Sequence, residues 1–147
     1  MSTMCDIVVI GAGPGGYAAA FYAADLGYRV VLIEKDDSLG GVCLNRGCIP
    51  SKSLLHATGL YQSMKTAGSM GIHATAELDI NQLREWKSGV VRQLASGVSQ
   101  LAASRQVQVI QGRAHFESSD KLRVNPSTGQ VWIEYKKAIN ATGARTA

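Results

Sequence analysis

A glycine-rich turn between a short apolar run and an alanine-rich segment limits this chain to few folds. Residues 6–10 read DIVVI and are followed at once by GAGPGG, which places Gly11, Gly13 and Gly16 in the pattern G-x-G-x-x-G. The first glycine permits a tight turn, the second lets the backbone approach a pyrophosphate, and the third lets a helix pack closely on the strand. The pattern predicts a strand, a turn whose N–H groups face phosphates, and a helix over residues 15–27.

An acidic residue follows where a nucleotide-binding unit of this kind needs one. Residues 29–33 read RVVLI and predict a second strand, and Glu34 stands at its end. A carboxylate about twenty residues beyond the glycines is placed to hold the ribose hydroxyls of an adenosine. Strand, turn, helix and acid together predict a Rossmann-type dinucleotide site rather than a merely structural turn. These residues leave open whether the dinucleotide is FAD or NAD.

Two cysteines lie in the next segment, which reads GGVCLNRGCIPSKSLL from Gly40 to Leu55. In a regular helix, Cα atoms five residues apart are about 8.6 Å from each other, whereas a disulfide needs less than about 7 Å. Gly47 and Pro50 predict a distortion that would let Cys43 and Cys48 approach. A ring this short adds little stability, because loop-closure stabilisation grows with loop length. We therefore predict a redox-active disulfide at the start of a helix.

Two plainer interpretations of these cysteines remain. A zinc site usually needs a second pair of ligands downstream, but the remaining cysteine is Cys5 and no His-x-x-x-His follows, so we expect no metal. A pair of unrelated core thiols is the other alternative.

Composition narrows the class of protein. The chain has 147 residues, 46% of them hydrophobic and 18% charged, which is typical of one globular domain. The net charge of +4 is spread over scattered basic residues, so we expect no nucleic-acid partner. No apolar run has the length of a membrane span, and the first residues lack the basic leader of a signal peptide. We expect a cytoplasmic protein with no membrane partner.

The cysteine segment resembles the active-site signature of the flavin-dependent disulfide oxidoreductases. Its form CLNxGCIPSK, with Leu44 and Ser51-Lys52, is closest to that of the dihydrolipoyl dehydrogenases. Mercuric reductases are also similar, and glutathione reductases less so. Arg46 departs from the pattern, since valine is commonest at that place. The similarity extends from the first strand to the Ala-Thr-Gly near the end of the chain.

The resemblance implies FAD as the cofactor and Cys43 and Cys48 as the catalytic residues. Cys43 would exchange with the substrate dithiol, while Cys48 and the ammonium of Lys52 would lie near the flavin. The position of Cys43 on the far side of the bend also predicts that it is the more open of the two. His56, His73 and His115 have no place in the signature. The cofactor-binding residues that the resemblance implies are Gly11, Gly13, Gly16, Glu34, Lys35, Gly40, Gly41, Cys43, Lys52, Ala114, Thr142 and Gly143.

The resemblance also implies a reaction and partners. The reaction is oxidation of a dihydrolipoyl group by NAD⁺, with a lipoyl-bearing protein or free dihydrolipoamide as substrate. A 2-oxo acid dehydrogenase complex and a homodimer are the implied assemblies. Chains of that family are roughly three times as long by the domain-size prior, so residues 1–147 are expected to be the N-terminal part of the FAD-binding domain. The NAD⁺ site and a histidine base would lie outside it, and the chain alone would be inactive.

Two alternatives to this function remain open. One is another disulfide or mercuric reductase of the same family. The other is a non-catalytic flavin-binding fragment, which would be yellow when purified but would not be bleached by NADH.

The rest of the chain predicts further α/β structure. Residues 51–69 continue the redox helix, and Asp79 with Gln82 resembles a capping box at the start of a helix that ends near Ser104. Its apolar stripe is interpreted as packing, with a partner-binding face as the alternative. Residues 107–110 predict a buried parallel strand.

Short antiparallel strands are predicted next, within residues 112–118, 121–124 and 130–135, with a turn at 125–129. A separate last strand is predicted within AINATG (138–143), where Asn140 is an unusual polar residue that would need a hydrogen-bond partner. The expected fold class is α/β, with a mostly parallel sheet, helices on both faces and a three-stranded antiparallel meander.

Overall fold

A computed structural model of the chain describes residues 2–125 and 129–144. It has the α/β architecture that the sequence predicts. The strands are β1 (Ser2–Ile10), β2 (Val30–Glu34), β3 (Gln108–Gln111), β4 (Arg113–Phe116), β5 (Lys121–Asn125) and β6 (Val131–Asn140). The helices are α1 (Pro14–Asp25), α2 (Gly41–Asn45), α3 (Cys48–Thr66) and α4 (Ile80–Ser104), and a 3₁₀ turn (Ala67–Met70) follows α3.

The six strands form one mixed sheet in the order β3-β2-β1-β6-β5-β4. β1 is parallel to both β2 and β6, and β2 is parallel to β3. β5 is antiparallel to β6 and to β4. The glycine turn leaves the carboxyl end of the central strand β1, the edge at which ligands bind in open parallel sheets.

The two faces of the sheet are covered differently. On one face, α1 and α4 pack over β1 and β2, with Val9, Leu32, Ala20 and Ala102 all buried. The other face carries a second cluster in which Val31 and Ile33 of β2 share a core with residues of β5 and β6. β2 and β5 are not neighbours in the sheet, so β4 and β5 must curl over this face.

The expectation of helices on both faces is therefore wrong for the described residues. The meander covers the second face, and α3 packs on α2 and α4 rather than on the strands. Local periodicity cannot distinguish these arrangements, because it shows which face of an element is apolar but not what covers it.

The last strand also differs from the expectation. The segments predicted as a third meander strand and a separate final strand form the single strand β6. Its first part pairs antiparallel with β5, and nearly its whole length pairs with β1, from Trp132 opposite Ser2 to Asn140 opposite Ile10. Lys136 and Lys137, which separate the two apolar segments in sequence, are exposed residues of a continuous strand.

The parallel strand predicted as buried is an edge strand. Gln108, Val109 and Gln111 of β3 are exposed, and Ile110 is half-buried. β3 ends the sheet, so its outer side has no neighbouring strand among the described residues.

The helix boundaries follow the sequence signals closely. Pro14 begins α1, and Gly27, just beyond its end, has a φ of 86° that favours glycine. Asp79 is the N-cap of α4 and accepts hydrogen bonds from the N–H groups of Asn81 and Gln82 at 2.8 and 3.1 Å. Positions 126–128 of the predicted NPSTG turn lie outside the described residues. Among those that are described, no helix is long and apolar enough to cross a membrane.

A charge cluster joins the three central parallel strands. Asp6 of β1 accepts hydrogen bonds from the main-chain N–H and guanidinium of Arg29, which precedes β2, and forms an ion pair with Lys136 of β6 at 2.8 Å. These hydrogen bonds, first from Arg29 and then from Lys136, hold the pKa of the Asp6 carboxyl well below its usual range.

The lowered pKa predicts a pH-dependent contribution of Asp6 to stability. The ionised carboxylate stabilises the fold above its unfolded pKa of about 3.9, and this contribution is lost as the pH falls through the lower folded value. Asp6→Asn should therefore unfold at lower denaturant concentration than the unmutated chain at pH 7, and the difference should shrink below about pH 4. Glu85→Gln, at an exposed position of α4, is the control. A difference for Asp6→Asn that does not change with pH would contradict the assignment.

Candidate functional site

The glycine turn has the tight geometry that the sequence predicts. Gly11 has a φ of 97°, and a Cβ added there would lie 2.8 Å from the carbonyl carbon of Ala141. A Cβ added at Gly16 would lie 2.8 Å from the carbonyl carbon of Gly11. Gly13 is the N-cap of α1 and makes no side-chain cap. The first-turn N–H groups of α1 thus point from an uncapped helix end, which is a suitable site for an anion.

Glu34 is buried, and its carboxylate accepts three hydrogen bonds from backbone N–H groups. One oxygen accepts from Ala12 of the glycine turn at 2.8 Å, and the other accepts from Lys35 and Asp36 at 2.7 and 3.0 Å. The sequence pattern predicts only a ribose contact and carries no signal of this structural role. A carboxylate has about four lone-pair sites, so a ribose hydroxyl would bind a group that the protein already holds in place.

The corner between β3 and β4 lies at the same end of β2. The N–H of Gly112 donates to the main-chain carbonyl of Glu34 at 2.7 Å. Ala114, two residues later, is half-buried in β4 and faces Val124 across the antiparallel pair. The structure therefore brings the segment that contains Ala114 towards Glu34, although the two residues are eighty positions apart.

The predicted Ala-Thr-Gly segment lies against the glycine turn. The N–H of Ala141 donates to the carbonyl of Ile10 at 2.8 Å, directly before Gly11. Thr142 and Gly143 are exposed at the end of β6. Asn140 is exposed and does not disturb the sheet, because its side-chain oxygen accepts from the N–H of Thr142 at 3.4 Å.

Cys43 and Cys48 form a disulfide, with their Cα atoms 4.7 Å apart. Cys43 lies in the short helix α2, and Cys48 is the first residue of α3. The break between the helices falls at Arg46 and Gly47, whose φ and ψ angles are non-helical. This closes the distance that a continuous helix would leave open.

The sequence prediction placed part of that distortion at Pro50, and this was wrong. Ile49 and Pro50 lie within the first turn of α3. Proline is tolerated there because the first N–H groups of a helix have no intrahelical partner. Gly47 provides the bend, and a Cβ added to it would lie 3.3 Å from the carbonyl oxygen of Val42.

The disulfide segment packs directly on the glycine turn. Gly40 and Gly41 have φ angles of 110° and 59°, and the N–H of Gly40 donates to the carbonyl of Ala12 at 2.8 Å. A Cβ added to Gly41 would lie 2.7 Å from the Cα of Gly13. The two sequence motifs thus meet backbone to backbone, in a contact that only glycine allows.

Further polar contacts, which the sequence did not predict, hold α2 in place. The side-chain amide of Asn45 donates to the carbonyls of Leu39 and Gly41, both at 3.1 Å. Arg46 forms an ion pair with Asp36, in the loop that follows β2. The only sequence signal was that Arg46 departs from the family pattern.

The exposure of the two sulfur-bearing residues differs from the expectation. Cys48 is exposed and Cys43 is half-buried, whereas the position of Cys43 on the far side of the bend predicted that Cys43 is the more open. The reason is local, since Leu44 beside Cys43 is buried, while Cys48 begins a helix whose first turn is at the surface. Lys52 is exposed one turn after Cys48, so the two lie on one side of α3.

The remaining predicted residues lie farther from this arrangement. Lys35 has an exposed side chain, and its N–H donates to Glu34 as described above. His56 stacks on Trp86 with ring centroids 6.5 Å apart, in a cleft between α3 and α4 that does not include the cysteines. His73 and His115 are exposed.

Cys5 is the third cysteine and lies buried in β1. Burial raises the pKa of its thiol to about 11. A protonated, inaccessible thiol reacts slowly with alkylating agents, because the thiolate is the reactive form. Cys5 is therefore a packing residue and not part of the redox pair.

Alkylation should distinguish the three cysteines. In chain purified without reductant, iodoacetamide should label no cysteine quickly under native conditions and one, Cys5, after denaturation. Reduction before denaturing alkylation should raise the count to three, as read by mass spectrometry. Cys5→Ala should lower each of the two denatured counts by one. Three labelled cysteines in unreduced, denatured protein would contradict the disulfide.

In the structure, a glycine turn of the dinucleotide-binding type packs against a segment that carries a disulfide. Comparisons with known proteins are consistent with a site of this kind. The sequence matches the family described as pyridine nucleotide-disulphide oxidoreductase over residues 5–147. Dihydrolipoyl dehydrogenase from Halobacterium salinarum is 47% identical, over 99% of this chain and 31% of the relative. The enzyme of that name from Bacillus subtilis is 46% identical, over 95% and 30%.

A solved structure is similar along nearly the whole chain. It is the Cu(II) complex of the HOCl-induced flavoprotein disulfide reductase RclA from Escherichia coli, with a TM-score of 0.83 and 31% identity over 99% of this chain and 30% of that one. The chain thus spans about a third of the length of the proteins it matches. With nearly its full length matched, and with the segment that carries the disulfide packed on the glycine turn, the chain belongs to the pyridine nucleotide-disulphide oxidoreductase family.

Proposed function

We propose that this chain is the FAD-binding, disulfide-bearing part of a dihydrolipoyl dehydrogenase. Residues 1–147 would be the N-terminal part of its FAD-binding domain. The backbone contact between Gly13 and Gly41 is the observation that carries the proposal, since it holds a redox disulfide beside a dinucleotide-binding turn. The CLNxGCIPSK signature and the names of the most similar relatives support the choice within the family.

The residues present fit FAD. The uncapped start of α1 and the tight packing around Gly11 and Gly16 suit a pyrophosphate, and we assign its backbone contacts to Gly13. Glu34 is held with its carboxylate at the carboxyl end of β2, where a ribose would bind. Lys35 follows it in the same loop. The main-chain bond from Gly112 to Glu34 supports a contact of the Ala114 backbone with the adenine.

The flavin end of the cofactor is assigned to residues on the other side of the glycine turn. Gly40 and Gly41 bring their backbone to the turn, and Cys43 lies on the helix that they begin. The remaining assignments are Lys52 on α3 and the exposed pair Thr142 and Gly143 at the end of β6. FAD, when bound, would supply the two-electron acceptor next to the disulfide.

The chemistry of the chain itself would be thiol–disulfide exchange. A thiolate of the substrate dithiol attacks Sγ of Cys43, the Cys43–Cys48 bond breaks, and a mixed disulfide forms. The second substrate thiol then displaces Cys43 and closes the lipoyl ring. Two electrons and two protons have then passed from substrate to chain, and both cysteines are reduced. In this proposal both are catalytic residues.

The structure gives a physical reason for unequal roles. Cys48 is the first residue of the nineteen-residue helix α3, where the helix dipole favours a thiolate. Lys52 adds a positive charge one turn later. These features support Cys48 as the electron-donating sulfur and Cys43 as the exchange sulfur, although Cys48 is the more exposed residue here.

The reaction, the substrate and the assembly that we propose are those of a full-length dihydrolipoyl dehydrogenase. The relatives named dihydrolipoyl dehydrogenase support an NAD⁺-linked reaction and a lipoyl-bearing protein or free dihydrolipoamide as substrate. A homodimer, association with a 2-oxo acid dehydrogenase complex and a cytoplasmic location belong to the same proposal. The likeness to RclA supports a second candidate, a flavoprotein reductase that acts on a different disulfide.

Flavin binding can be tested with two glycine substitutions. Gly41→Ala puts a Cβ where it meets the Cα of Gly13, at a φ of 59°, and should weaken FAD binding about tenfold or more, which corresponds to about 1.4 kcal/mol. The matched control is Gly59→Ala on α3, where an added Cβ meets nothing within 4 Å; its affinity should be unchanged. Both are measured by FAD fluorescence titration, with circular dichroism to check folding. Equal FAD affinities in two folded variants would contradict the shared site.

A chimera can test the enzyme assignment. This chain would replace the aligned 30% of the Bacillus subtilis dihydrolipoyl dehydrogenase, and NAD⁺-dependent oxidation of dihydrolipoamide would be followed as NADH absorbance. We expect activity in the chimera and none in its Cys43→Ser variant. A chimera that holds FAD but reduces other disulfides and not lipoamide would favour the second candidate. A chimera that binds FAD but has no reductase activity would contradict the catalytic proposal.

A further inference from the structure

Arg46 occupies an unusual place between the two cysteines. It is the C-cap of α2, three residues after Cys43 and two before Cys48. Its guanidinium forms an ion pair with Asp36, where the Arg46 side chain is 60% and that of Asp36 35% exposed. The charge that departs from the family signature is therefore engaged in a tertiary contact outside its own helix.

A chain of hydrogen bonds connects Asp36 back to the start of α2. The N–H of Asp36 donates to Glu34, whose other oxygen accepts from the N–H of Ala12. The carbonyl of Ala12 in turn accepts from the N–H of Gly40, the N-cap of α2. Both ends of α2 are thus attached to the elements of the dinucleotide turn, one by the backbone and one by the side chain of Arg46.

A helix of five residues needs such attachments. Isolated helices shorter than about twelve residues are marginal in water, and α2 contributes a single buried residue, Leu44. When the Cys43–Cys48 bond opens, the covalent restraint across Gly47 is lost. The position of Cys43 relative to Cys48 then depends on the backbone and on non-covalent contacts, which include the burial of Leu44, the hydrogen bonds of Asn45 and the pair between Arg46 and Asp36.

We propose that Arg46 is a positioning residue for the redox pair. Its ion pair with Asp36 keeps Cys43 opposite Cys48 in the dithiol state, which raises the effective concentration of one thiol at the other and favours closure of the disulfide. The proposal rests on the proposed function in so far as the disulfide must open and close in turnover. The equilibrium itself is a property of this chain and needs neither flavin nor lipoamide.

A direct electrostatic effect of Arg46 on the cysteines would shift the disulfide–dithiol equilibrium towards the dithiol instead. A positive charge beside the cysteines would stabilise a thiolate and so favour reduction. The two effects can be separated through Asp36. If the pair acts as a tie, removing either member makes the disulfide easier to reduce. If the charges act directly on the thiolates, removing the cation makes reduction harder and removing the anion makes it easier.

The test is the redox equilibrium of the 147-residue chain in glutathione buffers. In each reduction two glutathione thiols supply two electrons and two protons and form one glutathione disulfide. The fraction of open Cys43–Cys48 is read by acid quenching, alkylation and mass spectrometry. We expect Arg46→Val and Asp36→Asn each to shift the equilibrium constant about two- to fivefold towards the dithiol, the range typical of an exposed ion pair.

Three further variants make the test specific. The double variant Arg46→Val/Asp36→Asn should shift the constant no more than either single variant, because the tie is lost once. The charge exchange Arg46→Asp/Asp36→Arg should restore most of the original value. Arg105→Val, which removes the ion pair of Arg105 with Asp25 between α4 and α1, should leave it unchanged. Urea unfolding of each oxidised variant checks that the fold is intact.

The following results would contradict the positioning role of Arg46. Shifts of opposite sign in Arg46→Val and Asp36→Asn, additive shifts, or no shift in either would overturn the positioning role. A shift of equal size in Arg105→Val would do the same, since it would reflect general destabilisation. Failure of the chain to bind FAD would count against the proposed function and would leave these equilibrium constants measurable.

Discussion

The buried carboxylate of Glu34 holds together the parts on which the site depends. A buried anion is costly unless it is hydrogen-bonded, and Glu34 accepts from Ala12, Lys35 and Asp36. These bonds tie the glycine turn after β1 to the loop after β2. The main-chain carbonyl of the same residue accepts from Gly112 and so fixes the meander corner. One residue thereby orders three segments that the sequence places far apart.

Much of the fold could be predicted because its signals are local. The strand, glycine turn and helix at the start, the N-cap at Asp79 and the long helix α4 each rest on residues within one or two turns of one another. The α/β class followed from the order of these elements. The structure agrees with the sequence wherever backbone preference and burial favour the same conformation.

The wrong predictions concern features that depend on which strands pair in the folded sheet. The segments on either side of Lys136-Lys137 were predicted as two separate strands, but pairing with β1 carries the single strand β6 through both. The apolar residues of β3 suggested burial, but its position at the sheet edge leaves it exposed. At the site, the disulfide between Cys43 and Cys48 was predicted and is present, but the bend is made by Gly47 rather than Pro50. The tie from Arg46 to Asp36 could not be predicted, since an exposed charge carries no signal of its partner.

The continuity of β6 has a consequence for how this chain unfolds. The first part of β6 pairs with β5 of the antiparallel meander, and the strand also pairs with β1 up to the glycine turn. Since β6 is hydrogen-bonded to β5 on one side and to β1 on the other, we expect opening of the meander to be coupled to opening of the parallel sheet. Regions linked in this way exchange their amide hydrogens together, as one cooperative unit. The meander thus stabilises the parallel sheet through β6. Slow exchange of the amide hydrogens of β5 would therefore indicate that the end of β1 beside the glycine turn is also folded.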